Sequence, residues 1–285
     1  MKLGKPIRLL LVVVLITLTV TLFYRGIVVS FSKQLVVAIK NDDINAVEKI
    51  IDKCPACVNY YPGFAPLFVY SLLEAPISYP LMYAIWVDDP TIIRSLVDTG
   101  ADPNCVMDGK CPLWYVYRSK NEHWYDISCY LIDNDADVNY VFSYDRDYRE
   151  TGCISILDDI ISWTGSPVDD EDLMNAFEYA LDHCDHSRVD WSRTLWFAAR
   201  DGRIEIVRML LDDGYCDVNG EYDDVGTALI AAVQAKEYYG FCNKEMIELL
   251  LDYGADKYLK DEEGLTAYDY AVLCCNRDAI ELLGD

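Results

Sequence analysis

The stretch LVDTGADPN (96–104) recurs as LIDNDADVN (131–139), LLDDGYCDVN (210–219) and LLDYGADKY (250–258). A phrase that returns at a near-fixed interval constrains a fold more than composition does, because it marks one supersecondary unit stacked on copies of itself. Asn104 and Asn139 lie 35 residues apart, Asn219 and Tyr258 lie 39 apart, and the 80 residues from Asn139 to Asn219 leave room for a further unit. That unit is expected to end at Arg188-Val189-Asp190, as a degraded Val-Asn.

Two short helices precede each phrase. In TLWFAARDGRIEIVRMLLDDGYCDVN (194–219), Leu195, Ala198 and Ala199 share one helical face, and Asp201-Gly202 breaks that helix. Ile204, Val207, Leu210 and Leu211 then form an apolar stripe at helical spacing. Gly214 ends the second helix, where the chain turns through positive φ. The same grammar is legible at 34–52, at 79–104 (Asp89 as cap, Pro90 at the first helical position), at 226–234 with 244–256, and at 264–285.

These units resemble the ankyrin repeat, a turn plus two antiparallel helices written T-P-L-H-x-A-A, V-V-x-x-L-L, G-A-D-V-N. Thr-Pro-Leu-His never appears intact; the recurring closing phrase behind paired helices is the specific signal. The resemblance covers nearly all of residues 32–285, in about seven units at roughly 32–59, 78–104, 111–139, 151–190, 193–219, 226–258 and 264–285. The fourth is the poorest, with WTGSPVDDED (163–172) inserted between its helices. The resemblance implies an all-α helical repeat solenoid. It also implies non-covalent binding of a protein partner on a concave face of first helices and hairpin fingers. The expected exposed first-helix positions are Tyr83, Trp86, Tyr115, Arg118, Phe197 and Arg200, of the residue types that dominate interfaces. The long finger after Asn139 adds Tyr140, Phe142, Tyr144, Asp145, Asp147 and Tyr148, and its length and composition put it ahead of the first-helix positions as the expected contact.

The N-terminus has a different grammar. Residues 9–24 carry no charge, Arg25 and Gly26 interrupt, and apolar residues resume to Phe31. With Arg25 snorkelling to the interface, residues 9–31 suffice to cross a membrane. Residues 1–31 are therefore expected to be a basic flank and an uncleaved single-pass signal anchor. A cleaved signal peptide has a similar start and would leave a secreted repeat protein, but no Ala-x-Ala site follows. Lys2, Lys5 and Arg8 precede the span, which places the N-terminus in the cytoplasm and the repeats on the far side. The ankyrin resemblance favours the opposite placement, since many such arrays act inside cells.

The formal charge is −24. Residues 1–33 hold five basic groups and no acid, so the rest sets 19 basic against 48 acidic groups. Such a body repels phosphate backbones, so no nucleic-acid partner is expected; it attracts a basic protein, and the charge also aids solubility.

The aspartates of the closing phrase lack the alternating acids of a calcium loop. Asp102, Asp137, Asp217 and Asp256 are expected to bond backbone groups in a turn. Asp182-His183-Cys184-Asp185-His186 invites a metal reading, but it falls where a second helix should end and polar residues are expected. Cys54-Pro55-Ala56-Cys57 follows a helix in a repeat array, away from the βαβ setting of redox motifs. Cys105 and Cys111 flank Asp108-Gly109 and are spaced to bridge a finger if the chain is exported. No nucleophile set, phosphate loop or zinc-protease motif is present, so neither catalysis nor a cofactor is expected. The alternative is an enzyme or metal protein built on 182–186.

Overall fold

A computed structural model describes residues 5–59, 79–119, 122–143, 153–162, 171–239 and 243–284. The chain divides into two compact units, Met1–Asp135 and Ala136–Asp285. In the first unit, the helices are α1 (Lys5–Lys40), α2 (Ile44–Lys53), α3 (Pro80–Val87), α4 (Pro90–Asp98), α5 (Pro112–Ser119) and α6 (Trp124–Asp133). First helices α1, α3 and α5 pack in series, and second helices α2, α4 and α6 form a parallel series against them.

The second unit repeats this plan. Its first helices are α7 (Ile156–Ser162), α9 (Trp191–Arg200), α11 (Ala228–Tyr239) and α13 (Ala267–Leu273). Its second helices are α8 (Glu171–His183), α10 (Ile204–Asp212), α12 (Lys244–Asp252) and α14 (Arg277–Leu283). The described residues are otherwise nearly strand-free. β1 (Val141–Ser143) pairs antiparallel with β2 (Cys153–Ser155), and β3 (Glu221–Tyr222) with β4 (Gly226–Thr227). These are the fingers, and they follow closing phrases as the resemblance implies.

The helices form for local reasons. Asp89 caps α4 by accepting from the amides of Thr91 and Ile92 (2.7 and 3.3 Å), with Pro90 at the first position where no donor is needed. Asp190 caps α9 through the Arg193 amide, and Thr266 with Asp269 closes a reciprocal capping box on α13. One apolar face of each short helix is buried: Ile92, Ile93, Leu96 and Val97 in α4, and Ile206, Val207 and Leu210 in α10.

The closing phrase is a built device. Gly100 (φ 100°) donates to Val97 O and Ala101 to Leu96 O, and Gly254 and Ala255 repeat the pattern on Leu251 and Leu250. Where glycine is missing, Asp135 takes the positive φ (68°), which a short polar side chain tolerates. Two residues before the end, an aspartate turns the chain: Asp102 accepts from Asn104 N, Asp137 from Asn139 N, Asp217 from Asn219 N and Asp256 from Tyr258 N, at 2.8 to 3.0 Å. The closing asparagine then reaches the next repeat. Asn59 bonds Gly100 O and Asp102 N, Asn104 bonds Asp135 O, and Asn219 bonds Gly254 O and Asp256 N.

Two sequence expectations are corrected by this geometry. The fourth closing turn is not at 188–190. Asn139 bonds both backbone groups of Asp185, whose side chain accepts from Ser187 N at 3.0 Å, so the turn is Asp185-His186-Ser187; Asp190 already caps the next helix. The boundary drawn between residues 31 and 32 falls inside one unbroken helix, because α1 runs from Lys5 to Lys40 and its last turns are the first helix of repeat one.

Candidate interaction face

The first helices of the N-terminal unit carry a row of aromatic rings. In α3, Leu81, Met82, Ala84 and Ile85 are buried, which leaves Tyr83 and Trp86, three residues apart, on the outer side. Trp86 is 52% exposed. Its ring meets Tyr83 edge-on at 5.3 Å between centroids and Tyr115 of α5 at 6.2 Å; Tyr115 in turn meets Trp114 at 5.0 Å. Edge-to-face pairs of this kind hold the rings in fixed orientations. Cations cover the ends of the row. Lys40 Nζ sits 4.6 Å above Tyr83, Lys110 Nζ sits 4.2 Å from Trp114, and the Arg118 guanidinium lies 5.6 Å from the same ring. Beneath lie Met82, Cys105 and Met107, with Tyr79 and Tyr115 packed on them. Burial, then Asp108, pushes the Tyr115 hydroxyl above its usual range. Trp114 is the residue sequence reasoning missed; Arg118, four positions on in the same helix, was the available signal.

The structure thus brings Tyr83, Trp86, Tyr115 and Arg118 together, and treats the remaining candidates differently. Phe197 and Arg200 are not exposed. They are 3% and 9% accessible, because Tyr222 of the β3 finger lies 6.1 Å from Phe197 and 5.7 Å from Trp196, while Arg200 pairs with Asp201 at 2.7 Å over both rings. Phe142 is buried (2%) and Tyr140 half-buried at the base of the long finger. Tyr144, Asp145, Asp147 and Tyr148 lie outside the described residues. Cys105 and Cys111 are both buried and no disulfide joins them, and burial, with Asp102 and Cys111 beside it, pushes the Cys105 thiol up to about 12.

Comparison with known proteins agrees with this architecture. Residues 170–261 and 195–285 match the family model for ankyrin repeats in three copies. An ankyrin repeat-containing protein of Treponema pallidum (strain Nichols) is 37% identical over 87 residues, 30% of this chain; the match spans 27% of that relative's length. Among solved structures, the ankyrin repeat protein EF0377 is 27% identical, with a TM-score of 0.56 over 72% of this chain and 96% of its own. An ankyrin repeat domain from Acinetobacter baumannii AYE (23% identical, 72% and 96% covered, TM-score 0.53) and the human ASB11 ankyrin repeat domain (19%, 87% and 96%, TM-score 0.56) share the fold. The fold is that of the ankyrin repeat. Ankyrin repeats mediate contacts between proteins.

Within that fold, the His/Cys cluster is the closing turn of the fourth ankyrin unit. His183 stacks on Tyr179 at 4.5 Å, with its Nδ1 2.8 Å from Tyr179 O; His186 Nε2 lies 3.1 Å from Leu181 O, with its ring against Trp191 and Tyr215. The Cys184 thiol donates to Leu181 O. These side chains bond their own backbone, and among the described residues no three His, Cys, Asp or Glu side chains gather to hold a metal.

A buried polar set in the same unit has the look of a catalytic group. Asp158 accepts from Ser155 Oγ (2.6 Å) and Thr194 Oγ1 (2.8 Å), and pairs with Arg193 at 2.7 Å. Asp158 and Thr194 are fully buried, so the carboxylate joins α7 to α9 and meets no solvent. At the other end of the chain, α1 is long and apolar enough to cross a membrane, and its side chains from Val14 to Ile27 are exposed on every side.

Proposed function

We propose that the chain is a membrane-tethered ankyrin array that captures a protein partner non-covalently, without catalysis, through the Tyr83–Trp86–Tyr115–Trp114 row. The observation that carries this is Trp86, 52% exposed in an ordered helix and held between two ring edges. Exposed, pre-oriented Trp and Tyr lose little conformational freedom on binding and dominate interface energies. Apolar, lipid-compatible α1 supports the tether. The basic flank supports a cytoplasmic N-terminus with the repeats outside. A second placement, with the repeats in the cytoplasm, draws support from Cys105 and Cys111, which are buried without a disulfide between them, as thiols are in reducing compartments. A reporter fused after Asp285 and active only in the cytoplasm stays silent in the first case and works in the second.

The binding face is tested by placing a photo-crosslinking amino acid at Trp86 in the full chain and, separately, at Glu48 on the exposed side of second helix α2. The expected result is a discrete adduct from position 86 that is absent from position 48. An adduct from 48 with none from 86 overturns the assignment.

A further inference from the structure

Helix α1 is 36 residues long, which at 1.5 Å per residue is about 54 Å, well beyond the ~30 Å of a hydrocarbon core. What the surplus does is legible in its surface. From Val14 to Ile27 every side chain is exposed, and the three threonines there bond their own helix: Thr17 to Val14 O, Thr19 to Ile16 O and Thr21 to Thr17 O, at 2.7 to 2.9 Å. Hydroxyls satisfied in this way suit a medium without water.

The pattern changes within one turn. Val28, Ser32, Leu35 and Ile39, spaced four, three and four apart, are buried. With Val36 and Ala38, also buried, they form the broad buried face expected of a helix packed on a protein, and α2 and α3 pack on this helix. Over the same turns the exposed side turns mostly polar, with Ser30, Gln34 and Lys40 beside a lone apolar Val37, and the Gln34 amide donates to Ser30 O. A side chain inside the first repeat cannot face lipid, so the span must end before Val28. Counting back, residues 9–27 give about 28 Å, enough for the core, with Arg25 one turn from the end and free to reach the headgroups.

We infer that the first ankyrin repeat is mounted directly on the bilayer surface, with the lipid boundary at Arg25–Ile27 and with unbroken helix in place of a flexible linker. The inference rests on the reading of α1 as a membrane span, and it shortens that span from 9–31 to 9–27. It also fixes geometry. Lys40, which covers Tyr83, lies 13 residues beyond Ile27, about 20 Å along the axis. The aromatic row is therefore presented at a set height above the headgroups, and the surface it takes is the membrane-proximal part of a partner standing on the same bilayer.

The test uses the full chain in phosphatidylcholine vesicles, with a spin label carried by a non-natural amino acid at Leu18, Leu22, Ile27, Ser30 or Gln34, all exposed in this structure. Collision with oxygen reports lipid, and collision with a water-soluble nickel chelate reports solvent. The expected pattern is lipid at 18 and 22, a crossover at 27, and solvent at 30 and 34, with slow helix-like line shapes throughout. A lipid signal at Ser30, or fast linker-like motion at Ile27 and Ser30, overturns the direct mount while leaving the span standing. A solvent signal at Leu18 and Leu22 overturns the span, and the mount with it.

Discussion

Asn219 ties two successive closing turns together: its side-chain amide donates to Gly254 O, and its carbonyl accepts from Asp256 N. Neither backbone group has a helical partner, so the bonds are not readily replaced. Asn219→Ala is expected to lower the opening free energy of the 254–258 turn by about 1–2 kcal/mol. Hydrogen exchange at those amides reads it, and unchanged protection would show that the asparagine is dispensable. This part of the molecule was legible in the sequence as a recurring Asp-x-Asn, but the bond to the following repeat was not, since its partners are backbone atoms that any residue supplies. The same logic hid the fourth closing turn, where Ser187 stands in place of asparagine. Thiols belong to this scale too. Burial, with Cys54 beside it, pushes the Cys57 thiol up to about 12, whereas Cys275 is exposed. The thiolate is the reactive form. At pH 8, iodoacetamide is expected to modify Cys275 at least tenfold faster than Cys57, by mass spectrometry. Comparable rates would revive a redox role for the Cys-x-x-Cys.

Helices with the same sequence grammar met different fates. Trp86 and Phe197 were both read as outward first-helix positions, and periodicity gave no reason to separate them. What separates them is the finger: Tyr222 folds onto Phe197, while no ring other than Tyr83 and Tyr115 is seen to touch Trp86 among the described residues. Finger conformation is a tertiary property that a helical stripe does not encode. Phe197→Ala is accordingly expected to cost about 3–5 kcal/mol of stability, as a large-to-small change at a buried site. Trp86→Ser should stay within about 0.5–1 kcal/mol, as an exposed substitution does. Urea unfolding followed by circular dichroism distinguishes them, and equal losses would place Trp86 in the core. Helix α1 teaches the same lesson in reverse. Its apolar run was plain through Arg25 to Phe31, yet its unbroken continuation into repeat one was not, because the switch from an apolar to a mixed pattern after Phe31 read as a boundary between two elements.

At the scale of the molecule, the sequence made the ankyrin architecture legible through recurrence alone, and the chain's net charge of −24 was the ground for expecting no nucleic-acid partner. It pointed first to the long finger and second to the first-helix row. The row is the element whose geometry is now defined, and it combines rigid rings with bound cations on an acidic chain. The central claim is that this row receives the partner. It is tested most directly by hydrogen exchange on the full chain, with and without a partner identified by crosslinking at Trp86. The account predicts slowed exchange at Tyr83–Val87 and Trp114–Arg118 and little change along second helices α2 and α4. Protection confined to α2 and α4, with the Trp86 helix unchanged, would contradict it.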